Sequence, residues 1–261
     1  MKMKSKIALA ALALTAGSAA MAQLSFNIGA VSDYRVRGIT QTANQHSVQG
    51  GVDYAHSSGM YVGAWAASNL KWIKEFNGAT KGNYEIDLYG GYKSEIMPGL
   101  SYDVGAITYQ YPGNDSGDAA TPGGNTTLSN ATTYEFYGAL TYKIVTLKYN
   151  QSVGDFLGIK NSNASRYWDL SASLDLGSGY TLVPHVGRQT IPANEGNSSN
   201  NADYTDYALT LTKDLGKGVT GSVAYVGTNA DEVFYTQSAT YGGDARFLAK
   251  NGVVVGVKYS F

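Results

Sequence analysis

Hydrophobic residues recur at every second position through most of this chain, and the last stretch shows the rule most plainly. From Asn251 to Phe261, Val253, Val255, Val257, Tyr259 and Phe261 share one face of an extended strand, while Gly252, Val254, Gly256, Lys258 and Ser260 share the other. Earlier segments repeat it. Leu24, Phe26, Ile28 and Ala30 oppose Ser25, Asn27, Gly29 and Asp33 in a strand expected over Leu24 to Arg35. Ile86, Leu88, Gly90 and Tyr92 oppose Glu85, Asp87 and Lys93, and Phe136, Leu140 and Tyr142 oppose Glu135, Thr141 and Lys143. Trp168, Leu170, Ala172, Leu174 and Leu176 oppose Asp169, Ser171, Ser173 and Asp175, and Tyr207, Leu209 and Leu211 continue the pattern. About a dozen such segments of roughly ten residues exclude helix and fit either a barrel wall or half of a sandwich.

The connections separate those two architectures. Ser57-Ser58-Gly59, Met97-Pro98-Gly99, Lys143-Ile144, Gly177-Ser178-Gly179 and Leu215-Gly216-Lys217-Gly218 are hairpin turns, with glycine supplying positive φ. The intervening joins are long and polar: Gly38 to Gln45, Lys71 to Gly82, Pro112 to Ala131, Gly154 to Asn163, Gln189 to Asp203, and Thr228 to Lys250. Short turns on one rim and long loops on the other predict an all-β fold: an antiparallel transmembrane β-barrel of about 12 strands, with short periplasmic turns and long extracellular loops. A soluble sandwich has no reason to segregate loop length in this way. Tyrosine and tryptophan cluster near both rims, as expected of two interfacial belts, although some of these rings could face the lumen.

Composition narrows the picture further. Residues 1–22 read as a cleaved secretory signal: Lys2, Lys4 and Lys6, an apolar run from Ile7 to about Ala16, then Ala20-Met21-Ala22. Residues 23–261 then form a single outer-membrane barrel domain. Removing the signal takes three lysines and no acid, so the formal charge of −1 becomes −4. A mildly acidic chain without a Lys/Arg stripe is not expected to bind nucleic acid. There is no cysteine, hence no disulfide framework and no thiolate metal site, and the three histidines are scattered. No apolar run after the signal approaches the roughly 18 residues a transmembrane helix needs, so a membrane form must be a barrel.

The final residues resemble the C-terminal insertion signature of bacterial outer-membrane barrels, carried by Gly256, Tyr259 and the terminal Phe261. Longer blocks resemble the TorF family of proteobacterial porins: Ser32-Asp33-Tyr34-Arg35-Val36-Arg37-Gly38-Ile39-Thr40, Gly59-Met60-Tyr61-Val62-Gly63-Ala64-Trp65, Glu85 to Tyr92, Tyr109-Gln110-Tyr111-Pro112-Gly113, and Tyr134 to Tyr137. The resemblance implies an outer-membrane barrel conducting small solutes, with termini in the periplasm, outer-membrane lipid around it and the barrel-assembly machinery as its insertion partner.

Strand direction places the candidate pore-lining residues by height. The first lumen-facing residues after the long loops are Glu85 and Asp87 on the fourth strand, Glu135 on the sixth, Asp169 on the eighth and Asp206 on the tenth. Alternation puts Asp33, Arg35 and Arg37 of the first strand on the same face, so the outer mouth is expected to set an acidic arc against an arginine pair, with mild cation preference. The same charges could instead pair and lock the wall. Gly38 is expected to close the first strand and start the outer loop, and Pro112 to Ala131 or Thr228 to Lys250 could fold inward. No nucleophile elbow, His-Glu-x-x-His or P-loop occurs and no cofactor is expected, so an enzyme is disfavoured. The enzyme alternative is a strand-borne serine acting with His185, and the other is a structural or adhesive barrel without a pore.

Overall fold

The computed structural model describes residues 23–75, 77–116, 128–192, 202–236 and 244–261; the expected signal segment and parts of four long connections lie outside these. In chain order the strands are β1 (Gln23–Val31), β2 (Arg35–Val36), β3 (Ile39–Thr40), β4 (Ser47–Ala55), β5 (Met60–Ser68), β6 (Tyr84–Met97), β7 (Leu100–Gln110) and β8 (Thr133–Tyr142). They continue with β9 (Val145–Val153), β10 (Arg166–Ala172), β11 (Leu174–Gly177), β12 (Tyr180–Thr190), β13 (Tyr204–Gly216), β14 (Val219–Thr228) and β15 (Gly252–Ser260). One short helix, α1, covers Trp72–Glu75.

Neighbouring wall strands pair antiparallel all the way round, and β1 closes on β15 with Asn27 opposite Ser260 and Val31 opposite Gly256. β10 and β11 are two halves of one wall strand, interrupted at Ser173 and both paired with β12, so the closed barrel has twelve strands. The seam is sealed at its inner end by reciprocal backbone bonds between Phe26 and Phe261, 2.9 and 3.0 Å, beneath stacked rings.

The alternation holds in the wall. Leu24, Phe26, Ile28, Leu88, Phe136, Leu140, Trp168, Leu170, Leu209, Val253 and Val255 face outward, while Glu85, Asp87, Glu135 and Asp206 are buried inside. The belts are thinner than residue counts suggest. Tyr84, Tyr134, Trp168, Tyr207 and Tyr225 ring the loop side, and Tyr54, Tyr92, Tyr142, Tyr180 and Tyr259 the turn side. Tyr61, Trp72 and Tyr111 are buried, so these three do not serve a belt.

The first wall strand ends at Val31, four residues before the expected Arg35, and there the chain leaves the wall. Residues Arg35 to Thr40 form a separate two-stranded hairpin, β2–β3, in which Val36 pairs with Ile39. Its two turn residues both take positive φ, 48° at Arg37 and 82° at Gly38, the conformation that two-residue hairpin turns need. Gly38 therefore tips an inward hairpin instead of opening an outer loop. A Cβ there would lie 2.5 Å from Thr228 Cγ2 and 2.8 Å from Asp206 Cβ, so only glycine fits against the wall.

Candidate functional site: a lumen in two halves

The outer half of the lumen is filled. Above the hairpin, Ile39, Leu70, Trp72, Ile73, Tyr111, Tyr204, Tyr235 and Leu248 pack into an apolar core assembled from the long connections, a cluster more usual under the loops of a soluble domain than across a channel mouth. The Thr228 to Lys250 connection contributes Tyr235 and Leu248, so its described part does turn inward. Of Pro112 to Ala131, residues 117–127 lie outside the described residues. Trp72 stands edge-on to Tyr111 at 5.3 Å, and Tyr204 edge-on to Tyr235 at 5.2 Å.

Arg37 crosses the lumen from this hairpin. Its Nη2 donates to both oxygens of Glu135, 2.6 and 2.9 Å, and its Nη1 donates to Gln189 Oε1 at 2.7 Å. The guanidinium lies over the Tyr167 ring, 4.4 Å from its centroid. β8 and β12, which supply Glu135 and Gln189, lie across the barrel from β1, so one side chain braces the hairpin against the far wall. Burial opposes the charge on Arg37, but the Glu135 carboxylate outweighs it and holds the guanidinium above its ordinary range. Asn150 and the Tyr109 hydroxyl also donate to Glu135, at 3.1 and 3.3 Å.

Arg35 and Asp33 do not join that contact. Arg35 Nε donates to Asp33 at 2.6 Å, and Arg35 Nη1 donates to the carbonyls of Gly38 and Lys250, 3.2 and 2.7 Å. Asp33 also accepts from the hydroxyls of Thr40 and Thr42, which makes it the knot at the hairpin base. The expected arginine pair is thus divided, because both arginines sit on a folded-in hairpin and not on the wall.

The acids are divided too. Glu85 accepts from the Tyr34 hydroxyl at 2.9 Å, while Glu85 Oε2 and Asp87 Oδ1 are buried without a hydrogen-bond partner among the described residues. Burial and then Glu85 push the Tyr34 hydroxyl well above its ordinary range, so it remains a donor. Asp169 and Asp206 flank His185: Nδ1 is 3.1 Å from Asp169 and Nε2 is 2.8 Å from Asp206, with the Tyr167 hydroxyl also on Asp206 at 2.9 Å. Both ring nitrogens are engaged by carboxylates, and Ser171, the cross-strand partner of His185, makes no hydrogen bond to either among the described residues.

The inner half is different. Tyr61, Tyr89 and Tyr137 lie flat against glycines of neighbouring strands: a Cβ at Gly63 would meet the Tyr89 ring at 2.5 Å, and one at Gly91 or Gly105 would meet the phenols of Tyr61 or Tyr137 at 2.6 and 2.5 Å. The three rings are buried and form one cluster, with Trp65 and Ile107 packed against it. Their hydroxyls serve acids, Tyr61 to Asp103 at 2.6 Å and Tyr89 to Asp53 at 2.5 Å. Lys93, Lys148 and Lys258 project into the same space and are half-buried. Sequence reasoning missed Gln189, Tyr167 and Lys148, and it set Lys93 and Lys258 on the polar face without giving them a role.

Residues 15–261 match the family described as "Bacterial protein of unknown function (Gcw_chp)", a different designation from the TorF resemblance of the motif blocks. Among solved structures, a KdgM porin superposes with a TM-score of 0.54 at 9% identity, covering 91% of this chain and 99% of that one. A NanC porin gives 0.52 at 11% identity, covering 91% and 99%. KdgM has also been solved in complex with disordered oligogalacturonate, and that structure superposes with a TM-score of 0.52 at 9% identity, covering 91% of this chain and 98% of that one. No curated protein matches the chain. At such identities the likeness concerns the fold, which is that of outer-membrane channels.

Proposed function

This chain belongs to the Gcw_chp family, and we propose that it is an outer-membrane porin-like channel for passive diffusion of small polar solutes, its outer entrance held narrow by the β2–β3 hairpin. The observation that carries this reading is the closed twelve-strand barrel, apolar on its outward face, whose inward face carries charged side chains such as Lys93, Asp103, Lys148 and Lys258 that are half-buried and not sealed off. A barrel serving only as an anchor would gain by replacing those inward charges with packed apolar side chains. Wall carboxylates, among them Asp53, Asp103, Glu135 and Asp206, exceed the cations that face them, which supports a mild cation preference. The termini lie on the short-turn rim, which the reading places in the periplasm, and the outward apolar band meets outer-membrane lipid. Gly256, Tyr259 and Phe261 serve as the insertion signal for the barrel-assembly machinery; consistent with this, Phe261 is exposed on the lipid face and completes the seam.

Planar-bilayer recording tests the channel and its constriction together. Refolded wild type should give small cation-favouring steps, and R37Q, which frees the hairpin tip from Glu135 and Gln189, should give larger ones. No steps from either protein would favour the second reading, a closed structural barrel, for which the apolar cap over the outer mouth is the supporting observation.

A further inference from the structure

Charged groups of the inner half of the lumen are not all paired with one another. Each carboxylate there already has a donor: Asp53 from Tyr89, Asp103 from Tyr61, and Asp169 from His185. Lys93 and Lys148 have carboxylates as cross-strand partners, Asp103 and Asp169, yet among the described residues pair with neither. Lys148 Nζ stands 4.2 Å over the Tyr137 ring and Lys93 Nζ 5.7 Å over the Tyr61 ring, and among the described residues neither makes a hydrogen bond or ion pair. Neither ammonium is among the fully buried atoms that lack a partner, and both residues are half-buried, so each keeps some accessible surface. An ammonium carries three donors and no acceptor, so what completes it must come from the lumen.

Register places the two lysines on one path. Lys93 is opposite Asp103, Asp103 opposite Ala139, and Ala139 opposite Lys148, which puts them on β6, β7, β8 and β9 in a single cross-strand row that continues to Asp169 on β10, opposite Lys148. At the spacing of neighbouring strands their Cα atoms lie about 14 Å apart along the wall. Between them the row includes the small side chain of Ala139. The phenol face beside each ammonium holds it at the wall.

We propose that Lys93 and Lys148 form a binding site for small carboxylate-bearing solutes in the inner vestibule, the tyrosine faces positioning the two ammonium groups and Asp103 limiting how tightly an anion is held. The site deepens the reading of the barrel as a solute channel, and it differs from the net field of the lumen: the field sorts ions at long range, whereas the lysines bind one carboxylate group at contact. A solute bound too tightly could not leave, and the intervening Asp103 supplies the opposing charge.

Isothermal titration of the refolded full-length protein in neutral detergent, at fixed ionic strength, tests binding without requiring flux, so a barrel that fails to conduct can still bind. Succinate should bind and its neutral diamide should not. K93Q/K148Q should weaken succinate binding about tenfold or more, as loss of hydrogen bonds to charged groups does, whereas K213Q, on the outer face, should leave it unchanged. D103N should tighten it. If the double variant fails to fold, as judged by its migration before and after heating, K93Q and K148Q singly carry the same comparison. Absence of succinate binding, equal binding of the diamide, or wild-type affinity in the lysine variants would overturn the site.

Discussion

The outer and inner halves of this lumen use the same strands and the same alternation, yet they end in opposite states. In the outer half every wall carboxylate is buried, capped or braced, and Glu135 retains only 2% of its exposure beneath the Arg37 guanidinium. In the inner half the wall charges stay half-buried, and the bulky rings are folded onto glycines. The difference comes from what is inserted and not from the wall. A six-residue excursion, Arg35 to Thr40, carries a guanidinium across the barrel, and the long loops close an apolar core above it. Wall composition alone therefore does not decide whether a barrel of this size is open.

The contrast predicts unequal costs for equal chemical changes. Truncating the buried brace with Glu135→Ala should destabilise the barrel by about 3 to 5 kcal/mol, because Arg37 is left as an uncompensated charge; chemical denaturation in detergent measures it. Next in size is the wall itself. Leu170→Arg, near mid-strand on the lipid face, should cost about 2 to 4 kcal/mol, while Ser171→Arg, one residue on and facing the lumen, should cost far less. Equal losses would mean that the register is wrong.

Gly38→Ala sharpens the comparison at the hairpin tip. It combines positive φ with a clash against Thr228 and Asp206, for an expected loss of about 2 to 3 kcal/mol. Gly216→Ala also has positive φ, but nothing lies within 4 Å of its new methyl group, so only about 1 kcal/mol of strain is expected. The smallest effect belongs to the inner half. Lys148→Gln removes a charge without an ion-pair partner and should change stability by less than about 0.5 kcal/mol.

The wall was legible in the sequence because one face meets lipid: strand parity, short and long connections and the inward position of Glu85, Asp87, Glu135, Asp169 and Asp206 all follow from period-two alternation. The hairpin was not. Asp33, Arg35 and Arg37 keep the parity of β1, so alternation alone runs the strand straight through them. The signal that could have interrupted it is Arg37-Gly38 between Val36 and Ile39, a two-residue turn with arginine where asparagine or aspartate is usual. The apolar cap was hidden for a different reason: Trp72, Ile73, Tyr235 and Leu248 are scattered through polar loops and share no period. Their convergence is a tertiary fact.

Because the chain has no cysteine, single cysteines report on the two halves without background. Ser152→Cys replaces a lumen-facing residue that is 1% exposed in the outer half, and Ala139→Cys a half-buried one in the inner row between Asp103 and Lys148. The measurement is the rate at which each reacts with a charged, water-soluble thiol reagent in the folded barrel. Fast labelling at residue 139, with residue 152 protected until denaturant is added, is the result expected of a closed outer half over an open vestibule; equal rates at the two positions would contradict it.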